Sequence, residues 1–162
     1  MTTSRGSRAW LPPRWFIKAF WQAHRAVVRR TDGRRGLWLP KTDGRKERYG
    51  VLRLTTTGRR SGQPRPVLVG YVEDGHDLVT MAMDGWGAAE PAWWLNLQAE
   101  PHAEVQTKDG TRLVRARRAE GADRERLWAR WAAIDKNLEA YAARRPTETA
   151  VVVLETVAEE QD

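Results

Sequence analysis

A cluster of potential anion-binding groups lies in segment 57–65, which reads TGRRSGQPR. Guanidinium groups donate paired hydrogen bonds to phosphate or carboxylate oxygens, and the backbone N–H groups of a tight connection add further donors. Gly58 and Gly62 allow the positive φ angles that such a connection needs. The side-chain donors are Arg59, Arg60, Arg65 and the Ser61 hydroxyl. The segment predicts either a site for an anionic ligand or an exposed basic hairpin turn.

Few other residues suggest chemistry of their own. The chain has no cysteine, which excludes disulfides and thiolate catalysis, and its three histidines are too scattered to predict a metal site. It has nine tryptophans, a side chain that often lines ligand pockets. We see no signal peptide and no apolar run of the ~18 residues that a membrane span requires. These features predict a cytoplasmic protein.

The basic cluster stands between two segments that are typical of strands. The Thr and Val content of Tyr49–Thr57 favours a pleated, half-buried conformation. Turn signals at Asp74-Gly75 and Asp109-Gly110 predict hairpins. The other predicted strands are Val67–Glu73, Asp77–Met83, His102–Lys108, Thr111–Ala119 and Thr149–Glu155. Six strands joined by several hairpins predict an antiparallel barrel, closed or partly closed, with helices over its openings.

Two helices are predicted within this set of strands. Pro91 opens a short helix that reads AWWLNLQA. A long helix over 122–144 has one continuous apolar stripe, and Arg144 and Arg145 at its end complement the helix dipole. The stripe consists of Leu127, Trp131, Ile134, Leu138 and Tyr141.

The basic excess lies ahead of the predicted barrel. Residues 1–48 hold 13 Lys and Arg against three acidic residues. We predict a disordered tail over 1–13, a basic amphipathic helix and loop over 14–48, the barrel domain over 49–157 and an acidic tail over 158–162. The helix either packs on its own domain or lies on an anionic membrane. No DNA- or RNA-reading motif accompanies the charge, so we expect no specific nucleic-acid binding.

Two motifs at this separation resemble the deazaflavin-dependent nitroreductase family. They are LTTTGRRSGQPR, continued by GYVEDGHDLVTMA, and G…PAWWLNLQAEPHAEVQ. The resemblance runs from about Tyr49 to Val157. It implies an α+β fold, a six-stranded, mostly antiparallel split β-barrel of FMN-binding type, with an N-terminal helix, a short helix and a long helix in the C-terminal half. It also implies coenzyme F-420 (8-hydroxy-5-deazaflavin) as cofactor, with FMN as the alternative.

The same resemblance implies which residues contact the cofactor, whose phosphodiester and polyglutamate tail are anionic. Trp93 would lie near the ring and Asn96 would hydrogen-bond locally, although both also suit core and cap roles. The implied contacts are Thr57, Gly58, Arg59, Arg60, Ser61, Gly62, Arg65, Met83, Asp84, Gly85, Trp93 and Asn96.

Some positions depart from the family pattern. Met83-Asp84 stands where a small or hydroxylated residue is common, and Trp86 stands where a second glycine is usual. Asp135 and Leu138 occupy positions that are often aromatic. Tyr141 matches a family tyrosine, which makes it the candidate catalytic hydrogen-bond or proton donor; the alternative is a core role.

The implied function is an oxidoreductase that passes hydride from the reduced cofactor to a small electron-poor acceptor such as a quinone, an enone or a nitroaromatic. A non-catalytic deazaflavin- or flavin-binding protein is one alternative. A basic module for nucleic acid or a membrane surface, acting through residues 14–30, is another. Both a monomer and a homodimer remain open.

Overall fold

The computed structural model describes residues 13–31, 37 and 49–157. The predicted tails and most of the predicted loop after the first helix lie outside these ranges. The helices are α1 Arg14–Arg30, α2 Ala92–Ala99, α3 Gly121–Ile134 and α4 Leu138–Ala142. The strands are β1 Tyr49–Thr57, β2 Pro64–Asp74, β3 Asp77–Met81, β4 His102–Thr107, β5 Gly110–Arg118 and β6 Val151–Thr156.

The six strands form a closed barrel in the order β1-β2-β3-β6-β5-β4. Every pairing is antiparallel, and β4 completes the circle by pairing with β1 at Leu54↔Val105. The long β1–β2 ladder includes the pair Thr56↔Arg65, so the basic segment connects two paired strands. The predicted antiparallel barrel is confirmed.

Alternating burial along the strands builds the core inside the barrel. In β1, Leu52, Leu54 and Thr56 are buried while their neighbours are only partly covered. This period of two is what a strand with one face towards a core requires. A second buried cluster lies where α3 and α4 cover the outside of the barrel, and it includes Val72, Leu127, Trp131, Leu138 and Tyr141.

The prediction of one long helix over 122–144 is wrong, because α3 ends at Ile134 and α4 starts at Leu138. The backbone leaves the helical conformation at Asp135, whose φ is −107° and ψ is 98°. The Asp135 carboxylate accepts a hydrogen bond from the Asn137 N–H at 2.9 Å, which offers the backbone an alternative to the helical pattern. The apolar stripe nevertheless continues, since Leu138 and Tyr141 are buried beside Trp131.

Helix α1 forms as predicted, and the large side chains of its apolar face are exposed. Trp15 is 70% exposed, Phe20 60%, Phe16 51% and Val27 46%. None of the helices in the described ranges is both long and apolar enough to cross a membrane.

Candidate functional site

A cavity of about 850 Å³ opens beside the barrel, a volume within the usual range for small-molecule and cofactor sites. Its walls come from the connection after β1, from β2 and β3, from the loop before α2, and from α2 and α4. Arg65 and Gly70, both in the β2 wall, are five residues apart, or about 17 Å at ~3.4 Å per residue. The cavity is therefore elongated, with the basic connection at one end.

The basic connection is a tight loop that leaves little room for a side chain at residue 58. The Gly58 N–H donates to the Gln63 carbonyl at 2.8 Å, and the Gly62 N–H donates to the Gly58 carbonyl at 2.7 Å. A Cβ on residue 58 would lie 2.7 Å from Ser61 Oγ and 3.2 Å from the Gln63 carbonyl oxygen. Gly62 has a φ of +67°, in the left-handed region that favours glycine.

The cations of this loop have no acidic partners within the described ranges. Ser61 Oγ accepts hydrogen bonds at 3.2 Å from the Gln63 N–H and from Arg65 Nη2. Among the described residues, no carboxylate pairs with Arg59 or Arg65, and the Arg60 guanidinium has no hydrogen-bond partner at all. Since all three arginines are exposed, their charge is available to an external anion.

Asn96 of α2 holds this loop in place through hydrogen bonds. Its Oδ1 accepts hydrogen bonds from the Arg59 backbone N–H and from Arg59 Nη1, each at 3.2 Å. Its Nδ2 donates to Thr56 Oγ1 at 3.0 Å. Both Asn96 and Thr56 are buried, at 5% and 1% exposure, so this contact forms away from bulk water. The local hydrogen bonding predicted for Asn96 thus links α2 to the end of β1.

The loop between β3 and α2 is fastened by Arg145, whose side chain is fully buried. Arg145 donates to the carbonyls of Ala82 and Gly87, each at 2.9 Å, and to Thr149 Oγ1 at 2.8 Å. Its Nη2 also meets Glu90 Oε1 at 3.1 Å. The prediction that Arg145 lies in the last turn of a long helix and complements its dipole is wrong, because α4 ends at Ala142 and the Arg145 side chain is buried against the loop. Sequence periodicity could not reveal this role, because the acceptors are distant in the chain.

Within this loop, Trp86 has an uncommon backbone conformation. The Gly87 N–H donates to the Asp84 carbonyl at 3.0 Å, and φ is +54° at Gly85 and +59° at Trp86. Positive φ at both central residues is characteristic of a type I′ turn, which Gly, Asn and Asp normally supply. The Trp86 ring stacks on Tyr141, with centroids 5.3 Å apart and planes 4° apart. Stacking contributes about 0.5–1.5 kcal/mol beyond area burial and helps to offset the strain.

Tyr141 is 9% exposed and borders the cavity. Burial raises the pKa of its phenol, the Asp135 carboxylate raises this pKa further, and Arg144 opposes both. The phenol therefore keeps its proton at neutral pH and can donate a hydrogen bond. Burial, with a further contribution from Asp135, also raises the pKa of Tyr49.

Most of the predicted site residues lie around this one cavity. Those that line it are Gly58, Arg59, Arg60, Ser61, Arg65, Met83, Asp84, Gly85, Trp93, Asn96 and Tyr141. Thr57 and Gly62 do not line it; both are exposed at the rim of the basic loop. Trp93 is also 94% buried in the barrel core, so the two roles weighed for it are compatible.

Sequence reasoning missed other lining residues. Arg25 and Gln22 extend from α1, while Thr80, Met81 and the stretch 66–70 come from β2 and β3. Asp135 also lines the cavity, because the break between α3 and α4 places it there. The lining residues of β2 and β3 could have been found from the predicted pairing of these two strands. No sequence pattern identifies the α1 residues as lining residues. Within the described ranges, no cluster of His, Cys, Asp or Glu side chains could hold a metal ion.

The fold and the cavity define a class of protein: an antiparallel barrel with an elongated cavity that is lined by exposed arginines and by the aromatic side chains of Trp86, Trp93 and Tyr141. A sequence model of the F420H(2)-dependent quinone reductase family matches residues 21–156. The chain belongs to this family.

Individual relatives agree with this assignment. An F420H(2)-dependent quinone reductase of Mycobacterium tuberculosis strain H37Rv is 32% identical over 107 residues, which cover 65% of this chain and 68% of the relative. The solved structure of an F420-H2-dependent reductase (FDR-A) has a TM-score of 0.59 at 28% identity, covering 65% of this chain and 93% of that one. A structure described as a domain-swapped dimer has a TM-score of 0.63 at 26% identity, covering 89% and 100%.

These comparisons confirm the resemblance to the deazaflavin-dependent reductases and the split-barrel fold. They also confirm that the chain is an oxidoreductase that depends on coenzyme F-420 and passes hydride to a quinone.

Proposed function

We propose that this quinone reductase binds the anionic tail of coenzyme F-420 in the loop 58–65 and receives the quinone near Trp86 and Tyr141. The observation that supports this most strongly is the uneven distribution of charged side chains along the cavity. Three arginines without acidic partners in the described ranges line one end, and a buried, protonated tyrosine lies at the other.

The residues of the loop fit the anionic part of this cofactor. Arg59, Arg60 and Arg65 supply guanidinium forks suited to phosphate and carboxylate oxygens. The missing side chain at Gly58 lets the loop close tightly, and Asn96 fixes the Arg59 backbone. The donors are thus preorganised, which reduces the entropy that binding must overcome.

When bound, the reduced cofactor supplies a hydride. A quinone that accepts a hydride also needs a proton on its oxygen to become the quinol. Tyr141 is suited to donate a hydrogen bond or that proton, because burial and Asp135 keep its phenol protonated.

The first experiment is a fluorescence titration of the protein with oxidised coenzyme F-420, with FMN run in parallel. We expect micromolar binding of the deazaflavin, and about tenfold weaker binding for Arg60→Ala, since a charge-assisted hydrogen bond contributes ~1.5–3 kcal/mol. Arg115→Ala is the matched control, because Arg115 is exposed on β5 and does not line the cavity. Equal affinities for both variants would place the anion elsewhere.

Tyr141→Phe tests the other end of the cavity. We expect turnover of a quinone to fall about 10²-fold, the lower range for a positioned general acid, while F-420 affinity stays unchanged. Unchanged turnover would remove Tyr141 from the mechanism. Tight cofactor binding without reduction of any acceptor by the unaltered protein would favour the non-catalytic alternative instead.

We further propose that α1 contacts an anionic membrane surface, where lipophilic quinones reside. The exposed aromatic groups of Trp15, Phe16 and Phe20 share this helix with the exposed cations Arg29 and Arg30. An amphipathic helix of this composition binds at the interface between headgroups and acyl chains. This proposal adds to the reductase function and does not depend on it.

Sedimentation with phosphatidylcholine vesicles, with and without phosphatidylserine, tests the contact. We expect binding only with phosphatidylserine, and loss of binding in a Phe16→Ser/Phe20→Ser variant. Leu113→Ser is the control, because Leu113 is 60% exposed on β5. If the double variant instead converts a dimer to a monomer in light scattering, the apolar face of α1 contacts a second copy of the chain.

A further inference from the structure

We propose that Trp86 limits the thickness of the acceptor chamber, so that the enzyme selects flat quinones over those with bulk above and below the ring. The chamber is the end of the cavity that Trp86, Tyr141, Asp135 and Gly70 line. The inference rests on the proposed function, and it assigns a specificity-determining role to a residue that replaces a glycine.

The backbone around Trp86 is held from several directions. The hydrogen bond between the Gly87 N–H and the Asp84 carbonyl closes the turn at 3.0 Å. Arg145 then ties the carbonyls of Ala82 and Gly87 to the body of the barrel. Because these bonds lie on both sides of Trp86, the indole cannot swing away by a simple movement of the loop.

The orientation of the Trp86 ring is also fixed, by its contact with Tyr141. Trp86 and Tyr141 stack with planes 4° apart, and each side chain is 9% exposed. The indole stacks on the Tyr141 ring and the Arg144 guanidinium carbon lies 5.8 Å from the centroid of the same ring, so an acceptor reaches the phenol through its edge and hydroxyl group. Because the indole also lines the cavity, it is a flat wall for a bound acceptor.

Gly70 lines the cavity at a point where the core leaves little room for a side chain. A Cβ on residue 70 would lie 3.1 Å from the Tyr49 hydroxyl oxygen and 3.5 Å from Trp131. Position 70 is therefore kept small by the Tyr49 and Trp131 side chains, and the large aromatic side chains that line the chamber are those of Trp86 and Tyr141. We expect an acceptor whose substituents rise above the ring plane to collide with the indole.

The conformation of Trp86 supports a functional role. A bulky residue at φ +59° costs on the order of 1–3 kcal/mol, and such strain persists only where the surroundings impose it. A glycine would adopt the same turn without that cost. The sequence Asp84-Gly85-Trp86-Gly87 thus retains a strained aromatic residue between two glycines at the edge of the site.

Calorimetric titration of the protein loaded with oxidised F-420 tests this inference, since the oxidised cofactor has no hydride to transfer and the heat reports binding alone. The probes are menadione, which is flat, and a benzoquinone with tert-butyl groups on both carbons that flank one carbonyl. We expect the unaltered protein to prefer menadione by at least about tenfold, the scale of steric discrimination in an apolar pocket. Trp86→Gly should bring the two affinities to within about threefold, and Trp86→Phe should keep most of the preference.

Equal affinities in the unaltered protein, or the same preference in Trp86→Gly, would overturn the proposal. Circular dichroism checks that each variant folds. If Trp86→Gly does not fold, Trp86→Asn replaces it with the same expectation, because Asn tolerates the left-handed region. Cofactor loading is measured separately by absorbance, and the two quinones are also titrated into the free protein. A failure to load F-420 therefore counts against the proposed function, while the quinone preference still decides the role of Trp86.

Discussion

Asn96 Oδ1 accepts two hydrogen bonds from Arg59, one from its backbone N–H and one from its guanidinium, each at 3.2 Å. A buried amide on α2 thereby fixes both the path of the basic loop and the direction of one of its cations. The same amide donates to Thr56 at the end of β1, so three segments meet at one side chain. The geometry of the proposed anion site is set from within the core and does not depend on the exposed residues alone.

Asn96→Leu should weaken F-420 binding and also destabilise the fold. The substitution leaves the Arg59 N–H without its acceptor and Thr56 Oγ1 without a donor, and each unsatisfied buried group costs about 1–3 kcal/mol. We expect the free energy of unfolding in urea to fall by about 2 kcal/mol and the F-420 affinity to fall about tenfold.

Gln98→Leu is the matched control for this variant, because Gln98 is an exposed amide on the same helix. It should change the unfolding free energy by less than about 0.5 kcal/mol, as surface substitutions usually do, and leave F-420 binding intact. If Asn96→Leu loses stability but binds F-420 normally, the loop does not need this support and the proposed preorganisation is wrong.

Arg145→Met should be the most destabilising of the substitutions considered. It leaves the carbonyls of Ala82 and Gly87 without donors and the Glu90 carboxylate without its cation. Removing one partner of a buried ion pair costs about 3–5 kcal/mol. Urea unfolding followed by tryptophan fluorescence measures the loss. Arg144→Met, at the exposed neighbouring position, should cost less than about 1 kcal/mol, and a comparable loss there would show that the buried bonds are not the cause.

Sequence patterns predicted the elements that local chemistry controls. The bounds of β1 match the prediction, because its alternating Leu and Thr residues pack one face against the core. Helix α2 also matches, since Pro91 and Pro101 limit it. The predicted strand Val67–Glu73 starts three residues late, because the Thr56↔Arg65 and Thr57↔Pro64 pairs extend the ladder beyond the apolar run. Such extension depends on the partner strand and is not visible in a local pattern.

In the candidate site, too, features that depend on neighbouring residues could be predicted and features that depend on distant residues could not. The basic loop could be predicted because its residues are adjacent in sequence, and they lie together on the cavity. The role of Arg145 could not, because it depends on the carbonyl of Ala82, 63 residues away. The break at Asp135 was hidden by an apolar period that continues across it from Trp131 to Leu138. Periodicity reports which face is buried but does not reveal a side-chain hydrogen bond that ends a helix.

Asp74 makes the stability of the fold depend on pH in the acid range. Hydrogen bonds from Arg126 at 2.9 Å lower the pKa of this carboxyl below 3.8, with further contributions from Arg130 against the opposing effect of burial. A lowered pKa in the folded state stabilises the protein above the unfolded-state pKa, and this contribution disappears as pH falls through the folded-state value.

We therefore expect Asp74→Asn to lower the free energy of unfolding by about 1 kcal/mol at neutral pH, a value reduced for the partial exposure of these groups. The difference from the unaltered protein should begin to shrink as the pH falls below about 4, the unfolded-state pKa, and should disappear as the pH falls through the lower pKa of the folded state. Urea unfolding at a series of pH values measures it. A difference that stays constant down to the acid end would mean that Asp74 acts through its shape and not through its charge.

Asp135 and Arg144 should move the pKa of Tyr141 in opposite directions. The Asp135 carboxylate raises this pKa and the Arg144 guanidinium lowers it, while burial is the largest cause of the upward shift. Asp135→Asn should therefore lower the pKa but leave it above 10.0, because burial outweighs Arg144. Arg144→Gln should raise it. The Asn side chain keeps an oxygen that can accept the Asn137 N–H, so the break between α3 and α4 is preserved.

Titration of tyrosines labelled with carbon-13 at the ring carbon bonded to oxygen measures these shifts by NMR, and Tyr141→Phe identifies the signal. Tyr49 gives an internal comparison, since Asp135 raises its pKa as well whereas Arg144 is not among the causes of its shift. Asp135→Asn should thus lower both pKa values, and Arg144→Gln should change only that of Tyr141. If both variants leave Tyr141 unchanged, burial alone keeps the phenol protonated, and a neutral residue at position 135 would serve the proposed proton donor equally well.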